Sequence, residues 1–310
     1  MDLQSALRDE PASMTTGPID WCECGGTLRY ADVGKGRRLA YKPFGEPREP
    51  GKVLLYDPGS FGSYCDGVHL CSELADRGYL AIAYSRAGMY PSDPLPEGNT
   101  PHPAFHTSDI DNLLEALGIE GPILLAGHSM SGVRLHYAGH AIPERLRGLI
   151  FLDAVCPSLT KSFTWAGWTS FARTAAKAGI KAAGTALAPF VEELHPNILR
   201  LAGEDRTAKL TAIGSAEHLK AAADEIRAMD RKTRTIEIDE AVEIPALYVT
   251  ATAVSQGTPE VLKRYEAEGV WARHIKLPKD GHMSMLTPPA TEIIADGIDA
   301  LWRKVSAAPA

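Results

Sequence analysis

No stretch of about 18 consecutive apolar residues occurs in this 310-residue chain, which argues against a membrane-spanning helix or stable membrane insertion. A surplus of positive charge is missing too. Lys and Arg number 32 against 39 Asp and Glu, a formal net charge of −7 with the two signs interspersed. That balance leaves no electrostatic footprint for nucleic acid. Cysteine is scarce and odd in number, five in all. Cys22-Glu23-Cys24 would make half of a metal clamp, but no second Cys or His pair stands at matching spacing. Free thiols in a reducing compartment are therefore expected. The first 20 residues hold acids and polar groups but no apolar core of a signal peptide, so the expectation is a cytoplasmic protein. Internal repeats and low-complexity tracts are absent as well.

What is there is an alternation of short apolar runs with helical periodicity. Residues 28–33 and 38–44 read as an antiparallel pair about Gly34-Lys35-Gly36, and residues 53–56 as a buried strand ending in Asp57-Pro58-Gly59. A helical pattern runs to Arg77 and is closed by Gly78. The next strand, 79–84, leaves through Arg86-Ala87-Gly88-Met89-Tyr90. Residues 107–117 carry leucines at helical spacing, with Thr107 or Ser108 as the cap. A strand at 123–126, a helix to about His140 and a strand at 149–152 follow. The sheet resumes at 246–250 and 271–277, and the final helix spans about 291–305. The pattern implies an α/β class, with a mostly parallel central sheet flanked by helices on both faces. Between these strands, residues 157–243 show no convincing strand. An insertion of roughly 85 residues is too long for a structureless loop and reads as a helical cap. The expected division is a flexible arm at 1–20, a core domain at 21–156 and 244–310, and the cap at 157–243.

Gly127-His128-Ser129-Met130-Ser131 follows directly on the apolar run Ile123-Leu124-Leu125-Ala126. A buried strand that breaks into a helix, with Ser at the break and small residues two before and two after, is the pattern of a nucleophile elbow. A serine hydroxyl is a poor nucleophile. It must be held out on a strained turn where a histidine and an oxyanion hole can both reach it. The last small position here is Ser131 rather than Gly, with Gly132 just behind it.

With these landmarks in order, the chain resembles the α/β-hydrolase fold superfamily over about residues 28–305, as a serine-nucleophile, esterase- or lipase-like member with a helical cap. The landmarks are the turn after the third strand, the Arg-x-Gly segment after the fourth, the elbow, and the late Gly281-His282. The resemblance implies Ser129 as nucleophile and His282, in Asp280-Gly281-His282-Met283, as the base. It implies backbone N–H groups of Met130 and Ser60 as the oxyanion hole. Relatives usually carry His-Gly-x in that loop, where this chain has Pro58-Gly59-Ser60-Phe61-Gly62. Most relatives place the acid after the strand that follows the cap, but residues 249–255 contain no carboxylate. A second arrangement, resembling the haloalkane dehalogenases, puts it at the end of the strand after the elbow helix, where Asp153 stands. Glu260, or no acid at all, remains the alternative.

His128 is expected to be structural. His102/His106 and His136/His140 are pairs at helical spacing without a third ligand, so no metal is expected, nor any cofactor. Phe163, Trp165, Trp168 and Phe171 concentrate aromatics in the cap, and Arg173, Lys177 and Lys181 make one basic face. An amphipathic helix accounts for this; a pocket roof, with Phe61, Trp165 and Trp168 touching substrate, is the sharper reading. Dehalogenases and epoxide hydrolases of this fold use an Asp nucleophile, and this chain has Ser. The expected function is a carboxylesterase on a small or medium apolar ester. C–C hydrolysis, cofactor-free lyase chemistry, acyl transfer to an alcohol and an impaired small-ligand receptor stay open, as does homo-oligomerisation.

Overall fold

The computed structural model describes residues 26–157, 200–232, 243–251 and 258–307. Eight strands form one sheet: β1 (Arg29–Asp32), β2 (Arg38–Phe44), β3 (Val53–Asp57), β4 (Leu80–Tyr84), β5 (Ile123–His128), β6 (Leu146–Leu152), β7 (Ala246–Thr250) and β8 (Ala272–Lys276). Their spatial order is β1-β2-β4-β3-β5-β6-β7-β8. β2 runs antiparallel to both β1 and β4, and all other pairs are parallel. The crossovers are α1 (Val68–Asp76), α2 (Pro103–Ala116), α3 (Ser131–Ala141) and α6 (Thr258–Ala267), and α7 (Ala290–Ser306) ends the described chain.

Both faces of the sheet are covered, which is why its central strands read as unbroken apolar runs. Because side chains alternate along a strand, Leu55, Leu125, Leu149, Phe151 and Tyr248 point to one core. Ile110, Leu113 and Leu114 of α2, Leu135 of α3 and Tyr265 of α6 pack there. Leu54, Leu124, Ile150, Leu152 and Leu247 point to the other, against Leu70 and Leu74 of α1 and Ile294, Ile298, Leu301 and Trp302 of α7. Each such fully buried side chain stabilises the fold by about 1.5–3 kcal/mol.

Two boundaries differ from the periodicity reading by more than two residues. α2 begins at Pro103, not near Thr107, with His102 as the cap whose ring accepts the Ala104 N–H at 3.2 Å. Pro at a first helical position is the signal that the leucine spacing overshadowed. β6 starts at Leu146 rather than 149, because an irregular register at Ile123/Leu124 lets it pair earlier.

Within the expected cap, the described residues form two helices, α4 (Gly203–Gly214) and α5 (Ala216–Lys232). They are fastened to the core by polar contacts. Lys42 of β2 meets Asp205 at 2.7 Å, and Asp66 in the turn Tyr64–Gly67 meets Lys209 at 2.7 Å. Residues 1–25, Trp165, Trp168 and the Arg173/Lys177/Lys181 face lie outside the described residues. No described helix is long and apolar enough to cross a membrane.

Candidate active site

The site assembles at the carboxyl ends of β3, β5, β6 and β8. β5 and β6 pair in register to His128↔Leu152, so Ser129 and Asp153 leave the sheet side by side. Ser129 takes the left-handed region at φ 57°, which a non-glycine residue occupies only when its surroundings enforce it. Those surroundings are explicit. The Ser129 N–H donates to the Leu152 carbonyl at 3.0 Å, and the Ser129 carbonyl accepts from Val155 N–H at 2.9 Å and Gly132 N–H at 3.1 Å. Close approach explains Gly132, where a Cβ would lie 2.5 Å from the Val155 carbonyl oxygen and 2.8 Å from Ala154 Cβ. The glycine that the elbow pattern lacks at 131 is thus needed one place later.

Asp153 is also left-handed, at φ 41°, and fully buried. Its Oδ2 lies 2.7 Å from His282 Nδ1, while Oδ1 accepts the Ala251 N–H at 3.0 Å. The segment after β7, which holds no carboxylate, thus supplies a backbone donor to Asp153 at the end of the neighbouring strand. The carboxylate selects the Nδ1–H tautomer of His282 and leaves Nε2 as the acceptor. Glu260 lies exposed in the first turn of α6.

His128 steadies the histidine from the other side. The two rings stand 4.4 Å apart, and His128 Nε2 is 2.9 Å from the His282 carbonyl. Burial, then the neighbouring His282, pushes His128 down to about 3, so it is neutral near pH 7 and donates to that carbonyl.

The loop after β3 closes the site. Gly59 runs so near that a Cβ there would come 3.0 Å from Ser129 Cβ and 3.1 Å from His128 Nδ1. Ser60 and Phe61 are half-buried, and Phe61 is left-handed at φ 59°. Met130 is buried at the head of α3. Among the described residues no backbone acceptor takes the N–H of Ser60 or of Met130.

Sequence reasoning missed what lies beneath this loop. Asp57, Arg86, Arg134 and Glu225, two acids and two bases, form a fully buried quartet. Arg86 meets Asp57 at 3.0 Å and Glu225 at 2.8 Å; Arg134 meets Asp57 at 2.7 Å and Glu225 at 3.3 Å. The Tyr84 and Ser131 hydroxyls also donate to Asp57. Burial alone would raise both carboxyls. The Arg134 and Arg86 charges outweigh it at Asp57, and Arg86 and Arg134 at Glu225, so both stay below the usual carboxylate range. Arg134 five places after the serine, within an apolar helix, was a readable signal; Glu225 on a polar-looking helix offered none.

Cys65, Cys71 and Cys156 are buried. Among the described residues no group of three or more His, Cys, Asp or Glu side chains is placed to hold a metal ion.

Comparison with known proteins bears on this arrangement. The model of the alpha/beta hydrolase family matches residues 53–295. A probable transporter of Hormonema carpetanum is 33% identical over 128 residues, 39% of this chain and 18% of that protein. A cis-3-alkyl-4-alkyloxetan-2-one decarboxylase of Xanthomonas campestris is 33% identical over 113 residues, 34% of this chain and 37% of that one. The matches thus span well under half the length of either curated relative. Among solved structures, a laboratory-evolved variant of potato epoxide hydrolase superposes with a TM-score of 0.71 at 14% identity, covering 90% of this chain and 99% of that one. A thermophilic esterase from Thermogutta terrifontis gives 0.63 at 21% identity, covering 90% and 99%. These structural likenesses show a shared fold. The family match covers most of the chain, and with it the sheet order, the strained turn after β5 and the paired Asp153 and His282 fall into place: the protein belongs to the α/β-hydrolase family.

Proposed function

We propose that the protein is a serine carboxylesterase acting on a small or medium apolar ester. One observation carries the reading: the left-handed Ser129 turn stands beside a buried Asp153 bonded at 2.7 Å to His282. In this account Ser129 Oγ attacks the ester carbonyl carbon and gives its proton to His282 Nε2. The carbonyl electron pair moves onto oxygen, where the N–H groups of Met130 and Ser60 stabilise it. Collapse expels the alcohol, which takes the proton from His282, and leaves an acyl group on Ser129. Water, deprotonated by His282, repeats the cycle in reverse and releases the acid. Asp153 orients the imidazole and stabilises it when charged. The chemistry calls for no metal or cofactor, and Phe61, Trp165 and Trp168 are the proposed substrate contacts.

The solved esterase of like fold supports this reading only as company on the same scaffold. A p-nitrophenyl ester series of increasing acyl length tests it, with wild type, Ser129→Ala and Asp153→Asn. Hydrolysis lost in both variants is the expected result; a wild type inert on every ester would contradict the proposal.

A second reading, lyase chemistry without a cofactor, has the partial likeness to the oxetanone decarboxylase on its side. A cis-3,4-dialkyl-oxetan-2-one separates the two. Hydrolysis of this four-membered lactone yields a 3-hydroxy acid, whereas decarboxylation yields an alkene and carbon dioxide.

A further inference from the structure

The buried quartet does more than neutralise itself: its guanidinium groups hold the main chain of the oxyanion loop. Arg86 Nη2 donates to the Gly59 carbonyl at 2.9 Å, and Arg134 Nη2 donates to the Pro58 carbonyl at 2.7 Å. Arg86 Nη1 also donates to the Pro58 carbonyl. In a trans peptide the N–H points opposite to the C=O of the same unit. With the Gly59 carbonyl tied to Arg86, the Ser60 N–H is turned to the side away from that guanidinium. Ser129 approaches the same loop at Gly59.

Both guanidinium groups are themselves held in place. Asp57, at the end of β3, takes one edge of each. Glu225 takes the other: Oε1 and Oε2 accept from Arg86 Nε at 2.8 Å and Nη2 at 3.0 Å, and Oε1 also accepts from Arg134 Nη1 at 3.3 Å. Asp57 belongs to the sheet. Glu225 belongs to α5, within the inserted segment, and is fully buried against the core. The same helix supplies a second tie. His218 accepts the Tyr90 N–H on Nδ1 at 2.9 Å, and its Nε2 lies 3.2 Å from the carbonyl of Phe61. Side chains of α5 thus reach three of the loop's carbonyl groups, directly or through arginine, and the Gly59 carbonyl accepts the Gly62 N–H at 3.1 Å as well.

From this geometry we propose that Glu225 is a positioning residue for the oxyanion hole, acting through Arg86 and Arg134 to aim the Ser60 N–H. The insertion then does more than roof the pocket. Seating α5 completes the donor geometry, and a displaced α5 loosens the arginine tie on the Gly59–Ser60 peptide, leaving Asp57 to hold Arg86 and the Gly62 N–H to hold the Gly59 carbonyl. The inference rests on the esterase reading, because it concerns a donor used when negative charge develops on the substrate oxygen.

The test uses the full chain as wild type, Glu225→Gln and Glu225→Asp. Turnover of p-nitrophenyl butyrate is expressed per site labelled to completion by a fluorophosphonate, so unfolded protein is not counted. Affinity is measured for an alkyl boronic acid, which forms a tetrahedral adduct on serine, and for the inert amide of matching shape. Removing one oxyanion donor costs about a hundredfold to a thousandfold in kcat, and a donor that is misaimed costs about tenfold to a hundredfold by the same logic. For Glu225→Gln, kcat per labelled site is expected to fall within that lower range, with KM within about twofold. Boronate affinity should fall in parallel while amide affinity holds, and Glu225→Asp should lie between Gln and wild type. Unchanged kcat per labelled site, or equal losses in boronate and amide binding, would overturn the proposal. Should Glu225→Gln not fold, the same outcomes are read on Glu225→Asp, which keeps the charge but shortens its reach. A wild type that neither turns over nor labels would overturn the esterase reading and this inference with it, whereas loss of the inference alone shows only in the variants.

Discussion

Gly59 shows how tightly the candidate site is packed at the scale of one residue. A methyl group there would meet Ser129 Cβ at 3.0 Å and His128 Nδ1 at 3.1 Å, so either the loop or the elbow must give. Overpacking of this kind costs about 1–3 kcal/mol. Gly59→Ala is therefore expected to lower kcat far more than it lowers melting temperature, a contrast that kinetics and a thermal melt read on one preparation. Asp153 and Glu260 divide in the same way. Asn at 153 would favour the wrong imidazole tautomer, and a loss of about 10⁴ in kcat follows from comparable triads. Glu260→Gln, on an exposed helical turn, should leave kcat unchanged; a reversed pattern in the ester assay would move the acid role. The strained turn at Ser129 was legible from the chain because a Ser between small residues after an apolar strand is a local pattern. The contacts of Asp153 were only half legible, since they are made with Ala251 and His282, 98 and 129 residues away in sequence.

At the scale of elements, α5 is the part whose role the sequence hid. Its composition reads as a solvated helix, yet Glu225 is fully buried, His218 nearly so, and both contact core loops. Periodicity reports which face is apolar; it carries no information on a buried charge whose partners lie on other elements. Breaking a buried ion pair from one side costs about 3–5 kcal/mol, because the remaining charges lose compensation. Arg134→Met should therefore destabilise strongly in a denaturant titration, whereas Lys220→Met, at an exposed pair with Asp224, should change stability by at most about 1 kcal/mol.

His218 adds a pH dependence to the same helix. Burial, then the charge of Lys209, pushes its imidazole down to about 4 in the folded chain, from 6.5 when exposed. Between those values the unfolded chain binds the extra proton. His218 thus favours folding fully above about pH 6.5 and progressively loses that contribution as pH falls toward 4. Melting temperature should drop across that window, and less steeply in His218→Gln; parallel profiles would contradict the assignment.

For the whole molecule, the alternation of apolar runs with helical segments was enough to read the class of sheet, its coverage on both faces and the strands that carry the site. Strand order was beyond that reading. The placement of β4 between β2 and β3 depends on crossovers whose lengths overlap those of other orders. The same scaffold hosts esterases and epoxide hydrolases, so the overall shape cannot choose the chemistry, and the esterase proposal rests on Ser129 instead. The most direct measurement is the mass of the protein quenched during turnover of a slowly hydrolysed p-nitrophenyl ester, followed by peptide mapping. The account predicts a mass increase of one acyl group, placed on the peptide at Ser129 and absent from Ser129→Ala. Turnover without any adduct, or an adduct on another residue that survives Ser129→Ala, would contradict it.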